Sequence, residues 1–167
     1  MLKVNRKVEY GLVALKHMQA KPADQLTSVR EICDQYGTPF DPLAHVMRLL
    51  STARLVESEQ GAHGGYRLIG DLSRYNVAEF IELIDGQLAL TECIKPDDEC
   101  RCALVDRCNI VSPMHTFHNH LIRFLRSISV HELLQDASPF SAVSPKKLAA
   151  TAIAPSPQQQ AIAAQSD

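Results

Sequence analysis

Five cysteines punctuate this 167-residue chain, and four of them, Cys93, Cys100, Cys102 and Cys108, fall within sixteen residues. In a cytoplasmic chain, clustered thiols more often bind metal or sense redox state than form structural disulfides. Cys102 and Cys108 enclose five residues, Cys93 and Cys102 eight, and Cys93 and Cys100 six. Zinc ribbons usually show tighter Cys-x-x-Cys knuckles, which this stretch lacks. Thiolates on longer spacings suit an iron–sulfur cluster, because soft sulfur binds iron through its redox change and the longer segments can wrap a cluster. Cys33 stands apart between Ile32 and Asp34, where a lone cysteine reads as a small buried hydrophobe. His115, His118 and His120 read as helix-surface residues rather than as a ligand set.

A second group of side chains is suited to reading nucleic acid, and two short helices must position it. Ser28 and Glu31 have capping-box spacing, Val29 and Ile32 are apolar, and Gly37 is a natural terminator, so a helix runs from about 28 to 36. The next helix carries Leu43, Val46, Met47 and Leu50 on one face and Ala44, His45, Arg48 and Ser51 away from it. Two helices joined across a Gly turn, the second with a polar outer face, form a helix-turn-helix candidate. His45 and Arg48 are the expected readers, since Arg matches the O6 and N7 acceptors of guanine in the major groove. Thr38 and Asp41 flank the helix start, with Thr38 placed for phosphate. Pro39 and Pro42 shift the expected start toward Asp41, a cap followed by proline at the first helical position.

The remaining elements frame these two groups. Val8, Leu12, Leu15 and Met18 make an apolar stripe over residues 6–20, with Glu9 off its centre. Residues 55–58 and 66–69 are extended runs around Gly61, Gly64 and Gly65, a hairpin in the position of a wing. Val77, Phe80, Ile81 and Ile84 line a helix over 76–85. Ser112 and Pro113 are expected to open a long helix as cap and first residue, with Met114, Phe117, Leu121, Phe124, Leu125 and Ile128 as a broad apolar face. A long edge helix of this kind is expected to dimerise.

Charge and composition bound the partners. The chain carries a net −2, spread as +2 over residues 1–70, −5 over 71–136 and +1 over 137–167. The N-terminal part can face a polyanion, and the middle is poorly suited to one. No run approaches the ~18 apolar residues of a membrane span. Charges in MLKVNRKVEYG occupy the place of an apolar signal core, so a cytoplasmic protein without membrane association is expected. Residues 137–167, rich in Ala, Pro, Gln and Ser, read as a disordered tail.

The order of these parts resembles the Rrf2 family of bacterial winged-helix regulators, with its IscR, NsrR and RirA members, over about residues 1–135. RLVESEQGAHGGYRL, residues 54–68, resembles the family's wing. TECIKPDDECRCALVDRC, residues 91–108, resembles its cluster loop, and SVHELL, residues 129–134, the segment that ends the family domain. The resemblance implies a mainly α fold with a small β-wing: a winged helix-turn-helix plus a long dimerisation helix. It implies a four-iron, four-sulfur cluster, with a two-iron, two-sulfur cluster as the alternative. Cys93, Cys102 and Cys108 are its implied thiolate ligands. Cys102 keeps the family's five-residue spacing to Cys108, and Cys100 is the alternative. The His ligand of IscR-like members is missing, since Asn109, Ile110 and Val111 follow Cys108. Glu9, before Tyr10 and Gly11, matches the early carboxylate ligand of NsrR-like members. In the wing, Gln60 stands where many members carry Arg for the minor groove, which puts weight on His63 and Arg67 as compensating contacts.

These readings give a winged helix-turn-helix over 1–75, a linker helix and cysteine loop over 76–111, and a dimerisation helix and domain end over 112–136. The expected function is a homodimeric transcription regulator, a repressor in keeping with the resemblance, that binds a double-stranded DNA operator. It would sense iron, nitric oxide or redox state through an iron–sulfur cluster. A cluster-free thiol switch of the same fold is the alternative, and a cluster carrier or electron-transfer protein has no use for the helix-turn-helix. No nucleophile–base arrangement or phosphate loop marks an enzyme.

Overall fold

A computed structural model describes residues 4–61, 64–95 and 100–135. The sequence reading of 137–167 as a tail, and that of His63, lie outside these residues. The described chain is helical with one two-stranded sheet. The order is α1 (Arg6–Gln19), α2 (Val29–Tyr36), α3 (Phe40–Thr52), β1 (Val56–Glu59), β2 (Gly65–Leu68), α4 (Val77–Asp85), α5 (Val111–Arg126) and α6 (Val130–Leu134). Short 3₁₀ turns occupy Leu72–Arg74, Glu92–Ile94 and Val105–Arg107. All of these elements lie in one compact unit that ends at Leu134.

α1 packs against α3, α4 and β2. Asn5 caps it by accepting from the Lys7 amide at 3.0 Å. Its buried face is Val8, Gly11, Ala14, Leu15 and Met18, whereas Leu12 of the expected stripe is only half-buried. Gly11 is the crossing point. A Cβ there would meet Ile84 Cδ1 at 2.9 Å, Phe80 Cζ at 3.0 Å and Val46 Cγ1 at 3.2 Å. α3 and α4 therefore approach the α1 backbone more closely than any side chain would permit.

α3 is anchored by the predicted face. Leu43, Val46, Met47 and Leu50 are each fully buried, and burying one such side chain contributes about 1.5–3 kcal/mol. The helix starts earlier than the prolines suggested. Pro39 is its cap residue, without a side-chain bond, and Phe40 its first helical residue. Asp41 and Pro42 thus sit inside the first turn, where backbone N–H groups have no intrahelical partner and proline costs nothing. α5 departs in the same way: it opens at Val111 after Ile110, so Ser112 and Pro113 are its second and third residues.

The hairpin strands pair antiparallel, with Val56 opposite Leu68, Glu57 opposite Arg67, Ser58 opposite Tyr66 and Glu59 opposite Gly65. Thr27, ahead of α2, extends the sheet by exchanging backbone bonds with Tyr66 at 2.9 Å in each direction. Gly65 allows this approach, since a Cβ there would lie 2.8 Å from the Thr27 carbonyl oxygen. Asn76 caps α4 in a full capping box with Glu79. The Val77 amide donates to Ile128 and the Val130 amide to Tyr75, which ties the entry of α4 to the chain between α5 and α6.

Candidate nucleic-acid interface and cysteine loop

α2 is fixed to α1 by a polar network that periodicity does not reveal. Ser28 accepts from the Glu31 amide at 3.1 Å. The Glu31 carboxylate does not complete the expected box; it turns to Lys21 and to His17 Nε2 instead. A carboxylate only accepts, so Nε2 carries the proton. Nδ1 of the same ring lies 3.1 Å from the Tyr36 hydroxyl, within hydrogen-bond distance. Gln35 in turn donates to that hydroxyl at 3.1 Å. Lys21, followed by His17, holds the Glu31 carboxyl below its ordinary value against the opposing effect of burial. His17 is buried in this network. Its only sequence signal was a polar residue beside Met18 on the inward side of α1.

Gly37 ends α2 in the left-handed conformation, φ 68°, and turns the chain into α3. On α3, Asp41, His45 and Arg48 are exposed while the opposite face is packed. The side chains of His45 and Arg48 make no hydrogen bond or ion pair among the described residues. Two donors with different geometry thus project from one helical face, one turn apart. Thr38 is half-buried, and its hydroxyl donates to Cys33 Sγ at 3.6 Å. Phe40, 51% exposed, adds an apolar residue at the start of the same helix.

The wing carries its own counter-charge. Arg67 pairs with Glu57 across the strands at 2.7 Å. Glu57 raises the Arg67 pKa, with Glu59 and Asp24 adding to it. Gln60 is exposed just after β1. Arg54, at the junction of α3 and the wing, takes a left-handed backbone, φ 56°, unusual for a residue with a side chain.

The cysteines of the loop are all half-buried free thiols. Cys93 lies in the turn Glu92–Ile94, with its Sγ 3.2 Å from the Thr91 hydroxyl. Its carbonyl accepts from His115 Nε2 of α5 at 3.0 Å. Cys102 precedes the turn Val105–Arg107 and Cys108 closes it. Among the described residues, no three His, Cys, Asp or Glu side chains are grouped to hold one metal ion. The donor chemistry fits an iron–sulfur cluster, since four half-buried soft thiols outside any disulfide fall within sixteen residues, whose described elements are two short 3₁₀ turns. Glu9, half-buried in the first turn of α1, is ion-paired with Arg6 at 2.8 Å, and among the described residues it belongs to no group of three or more His, Cys, Asp or Glu side chains. Cys33 packs against the main core beside Thr38. His118 faces α4, its Nδ1 enclosed without a hydrogen bond, and burial, then the neighbouring His115, lowers its pKa.

A recognition helix with an exposed polar face, braced by a second helix and followed by a two-stranded wing, defines a winged-helix DNA-binding protein. The chain belongs to the Rrf2 family, described as an iron-dependent transcriptional regulator, whose profile matches residues 4–136. It is accordingly a DNA-binding transcriptional regulator. It is 25% identical over 126 residues to the HTH-type transcriptional regulator NsrR of Shouchella clausii, covering 75% of this chain and 84% of that one. It is 32% identical over 135 residues to the HTH-type regulator BadM of Rhodopseudomonas palustris, covering 80% and 82%. Among solved structures, CymR, the global cysteine regulator of B. subtilis, superposes with a TM-score of 0.58 at 24% identity, over 80% of this chain and 97% of that one. T. potens IscR does so with a TM-score of 0.57 at 24% identity, over 81% and 88%. Both carry the same fold. Among the described residues, no helix is long and apolar enough to cross a membrane.

Proposed function

We propose that this protein is a homodimeric, cytoplasmic operator-binding repressor that senses iron, nitric oxide or redox state through an iron–sulfur cluster held by Cys93, Cys102 and Cys108. The observation that carries the reading is the set of half-buried, unpaired thiols in a loop packed against α5. When bound, the cluster supplies a centre whose charge and integrity respond to oxidants and to iron supply. Cys100 is the alternative to Cys102, and Glu9 is the candidate oxygen ligand, released from Arg6 or supplied across the dimer. A four-iron cluster is favoured and a two-iron cluster is the alternative.

The chain's own residues supply the rest. His45 and Arg48 read base edges, Thr38 and Asp41 border the phosphates at the helix start, and Gln60, His63 and Arg67 approach the minor groove. Arg67 must trade its bond to Glu57 for that contact. The pairing surface is the uncovered face of α5, on which Phe117 is 57% exposed and no residue is fully buried. A cluster-free thiol switch is the second reading, favoured by the absence of a gathered ligand group among the described residues.

The test is the visible spectrum, with iron and sulfide analysis, of anaerobically purified protein. Wild type and Cys33→Ala are expected to show the same iron–sulfur chromophore. Cys93→Ala, Cys102→Ala and Cys108→Ala are expected to lose it. A normal spectrum in Cys108→Ala contradicts the ligand assignment, and colourless wild type favours the thiol switch.

A further inference from the structure

We infer that His115 is a positioning residue that ties Cys93, the first cysteine of the loop, to α5. The bond runs from His115 Nε2 to the Cys93 carbonyl at 3.0 Å. A carbonyl only accepts, so this nitrogen carries the proton and the tautomer is fixed. Otherwise the side-chain bonds of the turn Glu92–Ile94 among the described residues are local, the Thr91 hydroxyl beside Cys93 Sγ at 3.2 Å and the Lys95–Glu92 ion pair at 2.7 Å. The turn lacks a side-chain cap, none of its residues is fully buried, and its own backbone bonds are two, Ile94 to Thr91 and Lys95 to Glu92. Cys102 and Cys108 receive no side-chain hydrogen bond from α5 among the described residues. His115 therefore holds Cys93 and leaves Cys102 and Cys108 to the local chain. It sits on the second turn of the helix whose uncovered face is the proposed pairing surface. A change at Cys93 has a direct mechanical route into that helix. This consequence rests on the proposed sensing role of the loop; the tie itself does not.

The decisive experiment uses full-length, reduced, metal-free protein. Iodoacetamide labelling is followed at Cys93, Cys102 and Cys108 by peptide mass spectrometry in wild type, His115→Ala and His115→Gln. Loss of one hydrogen bond predicts labelling of Cys93 about three- to tenfold faster in His115→Ala. Cys102 and Cys108 are expected to keep their wild-type rates. His115→Gln, whose amide N–H has comparable reach, is expected to restore most of the protection. An unchanged Cys93 rate in His115→Ala overturns the proposal. So does equal acceleration at all three cysteines, which would mean general loosening. Iron and sulfide reconstitution of the same wild-type sample reads the cluster separately: failure to take up a chromophore counts against the cluster and leaves the labelling result to judge His115.

Discussion

Among the described residues, the exposed side chains of Arg48 and His45 make no hydrogen bond or ion pair, which leaves their donors free to meet a partner. Arg67, by contrast, is matched by Glu57, and Glu59 leaves the described wing strands with an excess of negative charge. Base reading is therefore expected to fall mainly on α3. Replacing Arg48 by Ala should weaken specific operator binding by about 1–3 kcal/mol and random-sequence DNA far less, as measured by titration at fixed salt. Equal losses on both would make Arg48 a phosphate contact instead. Glu31 provides a second test at this scale. Its carboxyl sits below the ordinary 4.5, mainly through Lys21. A depressed carboxyl contributes stability that is present above the ordinary value and is lost as pH falls through the lowered one. Glu31→Gln should thus melt below wild type at pH 7, and the gap should close as pH falls below about 4.5. A gap independent of pH would show that the carboxylate's charge contributes nothing.

The elements stand or fall on close approaches that only glycine permits. At Gly65 the clash is with backbone, the Thr27 carbonyl, which cannot rotate away. Gly65→Ala is expected to cost about 1–3 kcal/mol in denaturant unfolding, the range for overpacking. A neutral substitution would mean that the Thr27–Tyr66 bridge is dispensable to the wing. Much of the element layout was legible in the sequence, because apolar period and caps are local signals. The packed face of α3 is the one the periodicity marked, and Ser28 and Gly37 bound α2 as read. Gly11 was missed because a glycine carries no hydropathy signal, although it is where three elements meet. Ser112–Pro113 and Asp41–Pro42 misled for a common reason: proline is tolerated throughout the first helical turn, so it marks that turn rather than its first residue. Thr27 pairs as a single residue, too short for any period. In the candidate site, the cysteine spacing and the exposed pair His45 and Arg48 were readable. The tie from His115 to the Cys93 carbonyl was not, because it joins a loop backbone to a distant helix.

At the scale of the whole molecule, the charge asymmetry and the partly uncovered face of α5 describe one arrangement. The N-terminal part carries +2 and holds the proposed DNA-reading surface, while the −5 middle holds the cysteine loop and α5. Two copies paired through α5 would present two recognition helices, and a dimer reads half-sites at a fixed helical spacing. In such a dimer, a change in the loop that shifted α5 would change that spacing and with it the affinity. The central claim is that the state of the loop sets operator binding. It is tested most directly by titrating one anaerobic preparation onto its operator before and after removal of the cluster, at constant salt. The account predicts affinities that differ by at least about tenfold, or 1.4 kcal/mol, with binding to random DNA unchanged. Equal operator affinities in the two states would contradict it.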